Sequence, residues 1–118
     1  MDIANYSSDS RTVIKVAKEV AAEFRHPEIA VEHLLIAVIR HEGSEVESIL
    51  NQVGKSPAFV ESVLEDHLKE TSRRSTPREK LAISPAVHEV LTQALEEKAK
   101  LYDPLVEPEH IFIAAFDP

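Results

Sequence analysis

The feature that most constrains this chain is that it repeats itself. A shift of 77 positions, without a gap, places Ser7 on Ser84, Val13 on Val90, Ala17 on Ala94, Glu19 on Glu96, Ala22 on Ala99 and Pro27 on Pro104. The same shift then places Glu32 on Glu109, His33 on His110, Ile36 on Ile113 and Ala37 on Ala114, and most flanking apolar positions stay in phase. Self-similarity at one period means that one supersecondary unit is used twice. The 118 residues leave room for one core, so a single domain over 1–118 is expected.

The unit reads as all-α, a pseudo-twofold repeat of short helices. Ser7 or Ser8 can cap a helix in which Val13, Ala17, Val20 and Phe24 recur at helical spacing, and His26-Pro27 is expected to end it. A second helix is predicted from Val31 to His41, with Gly43 as its left-handed stop. Ser44 and Glu47 form a capping box ahead of Val46, Ile49, Leu50 and Val53, and Gly54 closes this third helix. Ser56-Pro57 opens a fourth helix with Phe59, Val60, Val63, Leu64 and Leu68 inward. This places the first copy at about 7–69.

The segment 70–80, ETSRRSTPREK, has no large apolar side chain and carries Arg73, Arg74, Arg78 and Lys80, as a solvated connector does. The second copy, about 84–118, starts at the Ser84-Pro85 cap, breaks at Pro104 and continues in a helix from Glu109 to Phe116. Nothing after it answers to the third and fourth helices, so the second copy looks truncated. Ile111, Phe112, Ile113 and Phe116 are therefore expected to stay partly wet, which would favour self-association through the C-terminal helix.

Several classes of chemistry are excluded. With 21 acidic and 13 basic residues the net charge is −8, the wrong sign for a phosphate-backbone binder, so no nucleic-acid partner is expected. The absence of cysteine removes disulfides, thiol nucleophiles and cysteine-ligated metals, and fits a cytoplasmic protein. The most apolar stretch, 29–39, is about half the roughly 20 residues a membrane span needs, and the N-terminus lacks a secretory pattern. Gly54-Lys55-Ser56 ends like a phosphate-binding loop, but Ile49 stands where that loop needs its first glycine, so no nucleotide or other cofactor is expected. His33 and His110 each follow a glutamate with no second histidine four residues on, so they read as ring-to-backbone helix-start partners and not as metal ligands. No catalytic residues are predicted.

Glu32 and Glu109 stand out. Each sits in the first turn of its helix, where the macrodipole favours a carboxylate by roughly 0.3 to 1 kcal/mol. The functional reading makes each glutamate, beside the Ser7 or Ser84 cap, part of a small polar pocket for a cationic group and, at the helix N-terminus, an anionic one.

The paired arrangement resembles the N-terminal domain of the Clp family of AAA+ ring unfoldases. The residues that carry the resemblance are Ser7 and Ser84, the alanine-containing helices (Ala17, Ala22; Ala94, Ala99), the VEHLLIAVI and PEHIFIAAF segments, and the helix from Ser48 to Gly54. The resemblance implies a non-catalytic domain that binds adaptor proteins or unfolded or modified substrates and delivers them to an ATP-driven ring farther along the same polypeptide. In C-type unfoldases it further implies paired phosphoarginine pockets, with Ser7 and Glu32 in one and Ser84 and Glu109 in the other as partner-binding residues. Ala30-Val31 and Glu107-Pro108 depart from that pattern, which has Gly-Thr there. The rival reading is a free-standing interaction module of the same fold with no ATPase attached.

Overall fold

Each long helix begins where a side chain can take up its orphan amides. The computed structural model describes residues 3–41, 46–71 and 82–116. Ser7 caps α1 (Ser8–Glu23) by accepting the Ser10 N–H at 3.1 Å, and Ser84 caps α5 (Pro85–Lys100) by accepting the Val87 N–H at 3.2 Å. α2 (Val31–Arg40) and α6 (Pro108–Phe116) use a different device, again shared by both copies. The imidazole three residues into each reaches back to the chain: Ala30 N–H donates to His33 Nδ1 at 2.8 Å and Glu107 N–H to His110 Nδ1 at 2.7 Å. Between the copies lie α3 (Val46–Gln52) and α4 (Pro57–Thr71), the latter capped by Ser56 as expected.

The helix stops differ from expectation. α1 ends at Glu23, ahead of His26-Pro27, in a Schellman motif: His26 N–H donates to Ala21 O, Arg25 N–H donates to Ala22 O, and Arg25 takes a left-handed φ of 57°. α5 ends identically, with Asp103 N–H on Lys98 O, Tyr102 N–H on Ala99 O, and Tyr102 at φ 57°. Backbone closure therefore stops both helices before either proline is reached. Gly54, at φ 76°, closes α3 as predicted. Gly43 and Ser44 lie outside the described residues. α4 runs on through Glu70 and Thr71, two residues into the expected connector, and 72–81 also lie outside the described residues.

The copies are joined by a crossed exchange. β1 (Glu28–Ile29) pairs in parallel with β2 (Ala82–Ile83), Ile29 opposite Ile83, and Tyr6 pairs with Val106. Under the shift of 77, Tyr6 becomes Ile83 and Ile29 becomes Val106, so these are one contact seen twice. Ser7 N–H donates to Val106 O at 2.9 Å and Ser84 N–H to Ile29 O at 3.0 Å. Apart from these two-residue strands the described architecture is all-α. No described helix is long and apolar enough to cross a membrane.

The main core sits where α2 and α6 meet between α1 and α5, around Val13, Ala17, Leu34, Leu91, Ala94 and Ile111. A smaller cluster of Val20, Ile36 and Leu68 docks α4 onto α1 and α2. Arg40 reinforces it, reaching Glu65 at 2.7 Å and Glu61 at 3.2 Å on α4 and Glu23 at 3.8 Å on α1. The Arg40 hydrogen bond holds the Glu65 carboxyl below its ordinary range.

Two expectations about burial are corrected. Ile111 and Phe112 are buried, at 0% and 6% exposure, because α1, α2, α3 and α5 all pack on α6. Only Ile113 of the predicted wet residues is exposed, and the side chain of Phe116 is outside the described set, so the expected drive to self-association through α6 loses most of its apolar area. Conversely Val53, Phe59 and Val63, read as inward, are more than half exposed, because they line a groove between α3 and α4 while Val60 and Leu64 of α4 pack on the core.

Tyr102 is 95% exposed, so its left-handed backbone is not offset by packing. Tyr102→Gly should stabilise the chain by about 0.5 to 1 kcal/mol, since glycine avoids the steric penalty at this position but brings more unfolded-state entropy. A urea or thermal melt of the variant checks it.

Candidate functional site

Glu32 and Glu109 occupy equivalent places in the first turns of α2 and α6, each half-buried at a helix N-terminus. Ser7 and Ser84 are buried, both 6% exposed, with their hydroxyls committed to capping. The crossed exchange decides which serine stands near which glutamate along the backbone. Ser7 is bonded to Val106, three residues before Glu109, and Ser84 to Ile29, three residues before Glu32. The Ser10 hydroxyl adds a 2.6 Å bond to the same Val106 carbonyl.

Glu32 borders a cavity of about 350 Å³ whose walls include Glu28, His26, His33 and His67. The imidazoles there have assignable protons. His33 Nδ1 accepts the Ala30 N–H, so its Nε2 carries the hydrogen and donates to His26 Nδ1 at 2.7 Å. The remaining His26 Nε2 is buried with no protein partner. In the second copy His110 Nε2 donates instead to Asp103 Oδ2 at 2.7 Å. The expected ring-to-backbone role of both histidines is thus present, and the partner on the far nitrogen differs between the copies. Burial, and secondarily His26, push the His33 pKa from 6.5 down to about 4. Among the described residues no three His, Asp or Glu side chains gather as metal ligands.

Chemically, the Glu32 cavity offers carboxylates at a helix N-terminus, which suits a cationic group. Sequence reasoning missed His26, His67 and Asp103. The signal for two of them was present, since the shift of 77 places His26 on Asp103 and both can accept from an imidazole.

Residues 5–118 match the family described as the Clp repeat (R) N-terminal domain. The chain is 30% identical to the chaperone protein ClpB of Nitratidesulfovibrio vulgaris over 115 residues, covering 95% of this chain and 13% of that protein. It therefore spans about an eighth of the length of the ClpB relatives it matches. Among solved structures, the N-domain of ClpV from Vibrio cholerae superposes with a TM-score of 0.80 at 26% identity, over 96% of this chain and 67% of that one. A complex of the ClpV N-domain with a VipB peptide superposes at 0.77, with 26% identity and coverage of 96% and 68%. The Hsp104 N-terminal domain from Candida albicans shares the fold, at 0.82 with 21% identity and coverage of 94% and 73%.

Between pH 6.5 and 4 the unfolded chain protonates at His33 and the native chain does not, so stability falls as pH drops through that window. The loss should be about 2 to 3 kcal/mol. His26→Asp recreates the Asp103–His110 arrangement and should raise the His33 pKa, shrinking that loss. NMR titration of the His33 ring with melts across pH checks both.

Proposed function

The chain belongs to the Clp repeat N-terminal domain family, and from that premise we propose that it is the adaptor- or substrate-binding domain of an ATP-dependent Clp unfoldase or chaperone, delivering bound proteins to the ring for unfolding or degradation. In this reading the domain itself is a non-catalytic binding module. The observation that carries the reading is the family match over 5–118. That a ClpV N-domain has been solved with a VipB peptide supports capture of a protein segment as the mode of binding. We read 1–118 as one such domain, working in the cytoplasm.

Within this reading Glu32 and Glu109 receive cationic groups of the bound protein, and the helix N-termini beside them favour an accompanying anion. Ser7 and Ser84 contribute by position: each holds a helix start against the strand that enters the other copy's glutamate. In this reading each glutamate's helix start is positioned by the serine of the other copy, Ser84 for Glu32 and Ser7 for Glu109.

The test is a Glu32→Ala, Glu109→Ala double variant titrated with an arginine-phosphorylated unfolded protein and its unmodified twin. Binding to the modified form should weaken at least tenfold while stability changes by no more than about 1 kcal/mol per site. Unchanged affinity would leave both glutamates as helix-end stabilisers.

A further inference from the structure

The hydrogen bonds around the Glu32 cavity leave one buried donor unused. His33 Nδ1 accepts the Ala30 N–H and its Nε2–H donates to His26 Nδ1, so the single hydrogen of the His26 ring sits on Nε2. His26 is 8% exposed and lines the cavity, and its Nε2 has no partner in the protein. A buried N–H left unpaired is costly, so this one calls for an acceptor. It cannot serve a metal, which needs a bare nitrogen. Moving the hydrogen to Nδ1 would set it against the His33 Nε2–H.

The other polar groups of the cavity have the opposite need. Glu28 and Glu32 present carboxylates, and no Lys or Arg is on the lining. The start of α2 has few amides to spare for an anion, because the Ala30 N–H goes to the His33 ring and the His33 and Leu34 N–H groups both go to Ala30 O. The cavity therefore suits a cation that carries an uncharged acceptor oxygen close beside it. A lysine side chain has the cation without the oxygen. A phosphoguanidinium has both, but its oxygens are charged and sit poorly beside two carboxylates that no basic side chain offsets. The amino terminus of a polypeptide has an ammonium and, on the same residue, a neutral carbonyl.

We propose that the Glu32 cavity binds the free amino terminus of a captured protein, with the α-ammonium on Glu28 and Glu32 and the first carbonyl oxygen accepting from His26 Nε2–H. This rests on the reading that the domain captures other proteins.

The test titrates the intact chain with ten-residue peptides lacking Lys, Arg and His. Each is made with a free amino terminus, with an acetylated one, and as an acetylated twin carrying one internal lysine. The free form should bind at least tenfold more tightly than either twin, and Glu28→Gln and Glu32→Gln should each cut that advantage at least threefold. In NMR spectra of the histidine rings of the unaltered chain, the His26 Nε2–H signal should move with the free form and stay in place with the acetylated one. Twins that bind equally, a lysine twin that matches the free form, or a His26 signal indifferent to the free terminus would each overturn the proposal. If free termini are not held while Glu32→Ala with Glu109→Ala still loses arginine-phosphorylated protein, the terminus site alone falls. If neither ligand is held, capture at the glutamates falls with it.

Discussion

Everything in this fold hangs on two backbone hydrogen bonds related by the internal repeat, Ser7 N–H to Val106 O and Ser84 N–H to Ile29 O. Each joins the residue that caps the first helix of one copy to the strand that leads into the second helix of the other. A short helical hairpin by itself would leave its apolar stripe wet. The exchange removes that choice, because the backbone N–H groups of Ser7 and Ser84 find their partners only in the other copy. It also presses α2 and α6 together, where Leu34, Leu35, Ile111 and Phe112 close the main core.

The departures from symmetry are as informative as the repeat. Val20 and Ile36 face Leu68 of α4, whereas their counterparts are Glu97 and the exposed Ile113, with no described helix covering them. One copy therefore carries an added layer, with an apolar groove between α3 and α4. The histidine pair follows the same rule. His33 and His110 perform one backbone task, but the far ring nitrogen meets His26 on one side and Asp103 on the other. A duplicated scaffold thus supplies two equivalent helix N-termini, bearing Glu32 and Glu109, in unlike surroundings.

Much of this was legible in the sequence. The shift of 77, the Ser7 and Ser84 caps, the Gly54 stop and the helix-start histidines are local or periodic signals, and each appears as read. The stops of α1 and α5 were assigned to prolines because Arg25 and Tyr102 give no hint of a left-handed backbone. Phe59 and Val63 were placed inward because a helix with apolar spacing looks the same whether its stripe meets a neighbour or a groove. Ile111 and Phe112 were judged wet because their cover comes partly from α2 and α3 of the other copy, a long-range contact that no local pattern encodes. The crossed bonds of Ser7 to Val106 and of Ser84 to Ile29 were hidden for the same reason.

The central claim, that the crossed exchange makes the two copies one cooperative unit, is tested most directly by native-state amide hydrogen exchange. The Ser7, Ser84 and Val106 amides should exchange only through global unfolding, with the same free energy as core amides such as Ala17 and Ala94. Exchange at Ser84 and along α5 and α6 through an opening several kcal/mol below the global value, with α1 and α2 still protected, would show that the second copy detaches by itself and would contradict the account.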